Sequence, residues 1–309
     1  MISTLGSIAS IILALLLGYL VGAHWKSVAV ISTRSITPLV WFLLFLIGVE
    51  SIGVVASAPS ALMVLTVALA FALSTTMASC GFVALLNVLA GSEGCRRNKR
   101  LNLSRVLSFW APVRECLIAL SMVVMGAVYF VTAQRFPALS VGLPSSSSLL
   151  ILLIVLVGSD LSQVKLELRW FSRTALMVVS GVVLGSFVGS LFVAWLSGEQ
   201  AIVALALGSG FGWFTLSSVL IRDALGQTYG AMALMIDLFR ELLAIIVLYL
   251  FGRRQPHPGI GSAGATALDS TLPIIKQTCD PDVIPLALVS GFMLTVLAPV
   301  LITFFLAFN

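Results

Sequence analysis

"MALMIDLFRELLAIIVLYLFG" (Met232–Gly252) has the length and apolarity of a membrane span, yet Asp237, Arg240 and Glu241 stand at its centre. The spacing i, i+3, i+4 places the three charges on one face of a helix. A charge at the centre of a bilayer costs about 2.5–3.5 kcal/mol on insertion scales, so intramembrane ionisable residues are functional candidates by default. The stretch therefore predicts a transmembrane helix with a functional charged face, the alternative being a structural ion pair in which Arg240 bridges the two carboxylates.

The composition of the whole chain predicts an all-α polytopic membrane protein. Of its 309 residues 60% are hydrophobic and 9% are charged, with a mean hydropathy of +1.13, whereas about 25% of the residues in a soluble domain are charged. Long unbroken apolar runs favour helices over the short alternating segments of a β-barrel. The net charge of +5 fits basic cytoplasmic loops, and no nucleic-acid partner is expected.

The cysteines and histidines indicate neither a disulfide framework nor a metal or catalytic site. The four cysteines form no CxxC pair, and neither histidine stands at ligand spacing from them, so the sequence predicts no disulfide framework, no metal site and no cofactor. Both histidines fall in predicted loops, which leaves an intramembrane hydrolase without a Ser–His dyad. An enzyme is therefore not expected.

Hydropathy and the distribution of Lys and Arg predict about eight transmembrane helices in two halves, 1–132 and 144–309. The connection 91–106 is strongly basic and is predicted to be cytoplasmic. Counting from this loop places both termini in the periplasm. The predicted spans are 5–23, 37–57, 60–90, 110–132, 147–163, 174–196, 229–251 and 283–307.

The segment 201–226 is predicted to be a re-entrant hairpin that enters from outside. Gly208, Gly210 and Gly212 interrupt its apolar run, and glycine both breaks a helix and allows close backbone approach. If the segment were an ordinary span, the arginines at 253–254 would lie outside, against the charge rule. The alternative is one continuous span with a glycine packing face.

A second interrupted segment is predicted at 259–275, which is too short and too polar to cross a membrane alone. Pro273 confines any helix to its N-terminal side. We expect a re-entrant piece that enters from inside, with a cytoplasmic loop as the alternative.

Two pairs of similar stretches suggest an inverted repeat. "FLIGVES" (45–51) resembles "VLVGSDLS" (155–162), and "VRECLIA" (113–119) resembles "FRELLAI" (239–245). In the predicted topology the members of each pair run in opposite directions. Inverted repeats with interrupted helices and a site at the midplane are typical of secondary transporters.

The acids predicted within the membrane outnumber the bases there, so protons or a cationic substrate must neutralise the excess. The N–H groups of a broken helix favour an anion such as a carboxylate, and together these features suit a zwitterion with an extra positive charge. The predicted substrate-binding residues are Ser209, Gly210, Gly212, Trp213, Ser217, Asp237, Glu241, Thr266, Asp269 and Ser270. The predicted supporting charge network is Glu50, Arg114, Glu115, Asp160 and Arg240.

At "SGFGWFTLSSVLI" (209–221), "DLFRELLAI" (237–245) and "GATALDSTLPIIKQT" (264–278) the chain resembles the bacterial LysO-type lysine exporter family. The resemblance covers essentially the whole chain. It implies export of L-lysine and of analogues such as thialysine through the inner membrane, and distant kinship with cation/proton antiporter and bile-acid transporter folds. It also marks Glu241 and Asp269 as important acids, to which we assign proton coupling. Glu50 and Asp160 stand where a family member has uncharged residues.

Together with this resemblance, the patterns predict a lysine/proton antiporter whose partners are L-lysine, protons and the lipid bilayer, with a homodimer left open. An Na⁺ or K⁺/proton antiporter, or a transporter of another small organic ion, would share the acids and the repeat. A channel-like or regulatory protein without coupling is a further alternative. Counterflow assays with lysine and with sodium would separate the first two.

Overall fold

The computed structural model describes residues 13, 14, 16–50, 58–89, 110–135, 143–162 and 172–308. The side chains of Glu50 and Glu115 and the predicted basic loop 91–106 lie outside the described part. All regular structure within it is helical, which confirms the all-α prediction for these residues. The helices are α1 (Lys26–Glu50), α2 (Ala58–Leu89), α3 (Trp110–Arg135), α4 (Ser146–Leu161), α5 (Arg173–Ser197), α6 (Ala201–Gly208), α7 (Phe214–Leu225), α8 (Gln227–Phe251), α9 (Pro256–Ala263), α10 (Leu272–Thr278) and α11 (Ile284–Leu306), with short 3-10 helices at Gly264–Leu268 and Pro281–Val283.

Several of these helices are suited to a bilayer. Leu62–Leu89, Arg173–Ser197 and Pro281–Leu306 are long and apolar enough to cross a membrane, and shorter apolar stretches lie in α1, α3 and α4. Helix α8 has 25 residues, a length of about 37 Å, but its three central charges lower its hydropathy. The chain is a multi-pass membrane protein.

The helices that the structure describes pack in two groups. Helix α1 packs against α3 and α4, whereas α2 packs against α5 and α8. Small residues spaced four apart on α5 bring it close to α2: a Cβ atom on Gly185 would lie 2.4 Å from Cα of Ser79, and one on Gly189 would lie 2.7 Å from Cα of Thr75. Small residues at such positions allow helix backbones to approach closely.

Helices α6 and α7 form a helical hairpin, here called hairpin A (201–225). The hydroxyl of Tyr229, in the first turn of α8, donates to Oε1 of Glu199, just before α6, at 2.9 Å. The chain thus leaves and returns at the same end of α8, and Gly226 makes the turn into α8 with φ +95°. A continuous helix over this segment would separate its ends by about 37 Å, so the Tyr229–Glu199 hydrogen bond is incompatible with one.

Helices α9 and α10 form a second hairpin, here called hairpin B (256–278), at the other end of α8. The thiol of Cys279, directly after α10, donates to the carbonyl of Gly252, directly after α8, at 3.4 Å. The two ends of hairpin B therefore also lie together, at the C-terminal end of α8. The two hairpins extend towards each other from opposite ends of α8.

The tips of the two hairpins meet about halfway along α8. The N–H of Ala265 in hairpin B donates to the carbonyl of Phe211 in hairpin A at 2.9 Å. Gly264 adopts φ +64°, and a Cβ atom there would lie 2.5 Å from the same carbonyl oxygen. Only a glycine allows the two backbones to cross so closely, and this crossing positions the site described next.

Candidate functional site

A cavity of about 510 Å³ lies where the hairpin tips meet helices α1, α4, α8 and α11. It thus lies between the two groups of helices. Besides Gly212, its polar and aromatic lining residues are Thr37, Trp41, Asp160, Trp213, Phe214, Thr215, Glu241, Thr266, Asp269, Ser270 and Thr295. A pocket of this size is within the range of small-molecule sites.

The cavity brings together part of the predicted site. The predicted substrate-binding residues that line it are Gly212, Trp213, Glu241, Thr266, Asp269 and Ser270. The others, Ser209, Gly210, Ser217 and Asp237, lie behind the tip of hairpin A and are buried. Asp160, which the sequence placed in a supporting network, lines the cavity itself.

Asp237 occupies the backbone N–H site at the tip of hairpin A. Its side chain is 1% exposed and accepts hydrogen bonds from the N–H of Gly212 at 2.9 Å and from the hydroxyl of Ser217 at 2.5 Å. Gly210 lies directly against the carboxylate, since a Cβ atom on this glycine would lie 2.0 Å from Oδ2. The N–H group of Gly212, which the sequence assigned to a substrate carboxylate, is thus bound by a carboxylate of the protein.

Arg240 is held by serines. Its guanidinium is 1% exposed and donates to the hydroxyl of Ser186 at 2.9 Å and of Ser79 at 3.4 Å. Its central carbon lies 5.7 Å from the ring centroid of Phe211, within the range of a cation–π interaction. Arg240 thus bonds to two serines instead of bridging the two carboxylates, which was the alternative considered from the sequence. The close approach of α2 and α5 brings both hydroxyls to the guanidinium.

The charge of Arg240 still acts on Asp237, since the two groups attract each other electrostatically through the protein. Water is excluded from both side chains, and a low dielectric strengthens the attraction between opposite charges. Arg240 therefore compensates the negative charge of Asp237 behind the tip of hairpin A. The cavity side of that tip then carries no net negative charge from Asp237.

Asp269 lies at the tip of hairpin B, where the 3-10 helix Gly264–Leu268 ends. Its Oδ1 accepts the N–H of Ser270 at 2.5 Å. Thr266 turns its hydroxyl back to the carbonyl of Ala263 at 2.7 Å, and its own carbonyl accepts the N–H of Thr271 at 3.1 Å. The interrupted helix thus presents Asp269 to the cavity on a short turn held by local hydrogen bonds.

Among the residues that the structure describes, three carboxylates from three different elements line the cavity. Glu241 belongs to α8 and is 5% exposed, Asp160 lies near the end of α4, and Asp269 belongs to hairpin B. Asp160 and Asp269 are close enough for their charges to repel each other. Like charges that share a site favour binding of a proton or a cation.

The remaining members of the predicted charge network are not brought into the cavity as far as the structure describes them. Arg114 is exposed on α3, and the side chains of Glu50 and Glu115 lie outside the described part. Sequence reasoning missed the contributions of Thr37 and Trp41 from α1 and of Thr295 from α11. No local signal marks these residues, because only the packing of distant helices brings them to the site.

Interrupted helices that meet inside a multi-pass helical protein, beside an acid-lined cavity, define the class of membrane transporters. A family model described as lysine exporter LysO matches residues 120–306. The lysine exporter LysO of Escherichia coli (strain K12) is 31% identical over 300 residues, which cover 96% of this chain and 98% of that protein. The chain belongs to the LysO family of lysine exporters, a family of transporters and not of enzymes.

A second relative supports the same assignment. A protein named putative lysine exporter from Haemophilus influenzae (strain ATCC 51907 / DSM 11121 / KW20 / Rd) is 36% identical over 169 residues, which cover 53% of this chain and 87% of that protein. No solved structure matches the chain.

Proposed function

We propose that this protein exports L-lysine, and analogues such as thialysine, across the inner membrane in exchange for protons. The observation that carries the proposal is that Glu241 and Asp269, from different elements, line one cavity between the tips of two opposed hairpins. Membership of the LysO family supports lysine as the substrate.

Energetics favour coupling to protons. Lysine leaves the cell as a cation against an inside-negative potential, which costs about 2.3 kcal/mol per charge for each 100 mV. Exchange of one proton for one lysine cation is electrically neutral and draws on the pH gradient. Coupled export of this kind can therefore proceed where passive efflux would fail.

The carboxylates of Glu241 and Asp269 provide the exchange. A carboxylate that has bound a proton no longer attracts an ammonium group, and one paired with an ammonium group has a lowered affinity for protons. The site therefore holds either protons or lysine. Such mutual exclusion is what an antiporter requires.

We further propose that hairpins A and B re-enter the membrane from opposite sides, with both termini of the chain in the periplasm. The base of each hairpin lies at one end of α8, which is long enough to cross a bilayer. Arg253 and Arg254 then follow the charge rule on the cytoplasmic side.

Cysteine labelling tests this orientation. In a background without the native cysteines, Gln255→Cys should react with an impermeant thiol reagent only after the cytoplasmic side is opened, whereas Gln200→Cys should react in intact cells. Both native side chains are exposed, so access to each position depends on the side of the membrane. Labelling of Gln255→Cys from outside intact cells would contradict the proposed orientation.

Counterflow in proteoliposomes tests the substrate. Vesicles loaded with unlabelled lysine should accumulate labelled lysine, and added sodium should neither replace lysine nor be accumulated. An Na⁺ or K⁺/proton antiporter would show the opposite pattern, with cation-dependent proton flux and no exchange of lysine.

A further inference from the structure

The first turn of α7, where Phe214 and Thr215 line the cavity, contains backbone N–H groups without an acceptor within the described ranges. Helix α7 has 12 residues and begins at Phe214. The N–H groups of Phe214 and Ser217 donate to the carbonyls of Gly212 and Trp213 at 3.0 and 3.1 Å. The N–H groups of Thr215 and Leu216, between them, find no acceptor among the described residues, as expected for the first turn of a helix.

The side chain of Thr215 gives an independent sign of a ligand at this helix end. Thr215 is 2% exposed and lines the cavity, and its hydroxyl has no hydrogen-bond partner in the described part of the chain. The other buried threonines of the cavity differ: Thr266 donates to Ala263 at 2.7 Å and Thr295 donates to Gly291 at 2.8 Å. Because this hydroxyl has no partner among the residues that the structure describes and Thr215 lines the cavity, it is available to a ligand that enters there.

The charge at this helix end suits an anion. The positive end of the α7 dipole lies at Phe214 and Thr215, and Arg240 compensates the charge of Asp237 behind it. The cavity acids Glu241 and Asp269 belong to other elements. A substrate with ammonium groups and a carboxylate can therefore place its opposite charges at different walls of the cavity.

We infer that the hydroxyl of Thr215 and the first turn of α7 bind the α-carboxylate of the substrate and so select basic amino acids over diamines of the same length. This inference rests on the proposed transport of lysine. The carboxylate site therefore lies at the first turn of α7, next to the glycine tip of hairpin A where the sequence had placed it. The N–H group of Gly212 at that tip is occupied by the carboxylate of Asp237.

Binding of labelled lysine to the purified full-length protein, competed by 1,5-diaminopentane, tests the inference. This diamine is lysine without its carboxylate. The wild-type protein should bind lysine at least about tenfold more tightly than the diamine, since one hydrogen bond to a charged group contributes about that factor. Equal affinity for the two compounds would overturn the inference without use of any variant.

Thr215→Val keeps the shape of the side chain and removes its hydroxyl. The variant should raise the Kd for lysine about tenfold and leave the affinity for the diamine unchanged, and Thr215→Ser should restore lysine binding. Thr303→Val is the matched control, because the hydroxyl of Thr303 is bound within its own helix and away from the cavity. An unchanged lysine Kd in Thr215→Val, or equal weakening of both ligands, would contradict a carboxylate site at Thr215.

Two outcomes separate the proposed function from the carboxylate site. If the wild-type protein binds no lysine at all, the proposed function is wrong, and this inference falls with it. If the wild-type protein binds lysine but Thr215→Val binds it equally well, lysine transport stands and only the carboxylate site is wrong.

Discussion

Asp269→Asn should abolish proton-coupled lysine export while the amount of folded protein stays near that of the wild type. The substitution keeps the shape of a side chain at the tip of hairpin B and removes its negative charge. An amide cannot exchange a proton for an ammonium group, so the cycle should stop. Growth on thialysine and lysine-induced proton flux in proteoliposomes are the measurements.

A conservative variant at Asp269 and a matched control at another aspartate show whether the effect is specific to the charge of Asp269. Asp269→Glu keeps the charge but adds a methylene group in a tight turn, so partial activity is expected. Asp280→Asn is the matched control, because the side chain of Asp280 is exposed and caps no helix by a hydrogen bond. Lysine-dependent proton flux at the wild-type rate in Asp269→Asn would show that this carboxylate is not part of the exchange.

Arg240→Ala should sharply lower the yield of folded protein. The guanidinium is buried between α8, α2 and α5 and contacts the ring of Phe211 at the crossing of the hairpins. Its loss leaves the buried charge of Asp237 uncompensated, at a cost of roughly 3–5 kcal/mol. Size-exclusion chromatography of a fluorescent fusion and the apparent melting temperature report the effect.

Arg254→Ala is the control for Arg240→Ala, because Arg254 is an exposed arginine between α8 and hairpin B. It should fold at the wild-type yield. Double substitution of Asp237 to Asn and Arg240 to Gln should recover part of the stability, since it removes both buried charges together. A wild-type melting temperature for Arg240→Ala would mean that the positive charge of Arg240 is not needed to stabilise the buried carboxylate of Asp237.

The sequence predicted those parts of the site that local chemistry marks. The charged face of α8 follows from the spacing of Asp237, Arg240 and Glu241, and the interruption near 209–213 follows from the glycines at 208, 210 and 212. The small residues before Pro273 likewise marked the break in hairpin B. The expectation that Pro273 confines any helix to its N-terminal side was wrong, because α10 begins at Leu272 with Pro273 in its first turn, where proline is tolerated. Each signal lies within one short stretch, so it can be read without knowing the fold.

The partners of these charges could not be predicted in the same way. The sequence offers Asp237 two candidate partners. One is Arg240 on the same helix, and the other is the N–H group of Gly212 at the tip of hairpin A, 25 residues earlier. Burial decides between them, because the helix carries Asp237 to the glycine tip while α2 and α5 offer serines to Arg240. The parts of the cavity wall that α1 and α11 form also depend on contacts between helices distant in sequence, so they too could not be predicted locally.

Uptake of labelled lysine into inverted membrane vesicles distinguishes lysine/proton antiport from uncoupled and sodium-coupled transport. The lumen of such vesicles corresponds to the periplasm, so export from the cell becomes uptake into the vesicle. An acidic lumen should drive lysine accumulation in vesicles that contain the protein, and collapse of the pH gradient should abolish it. Accumulation that does not respond to the pH gradient, or that requires a sodium gradient instead, would contradict lysine/proton antiport.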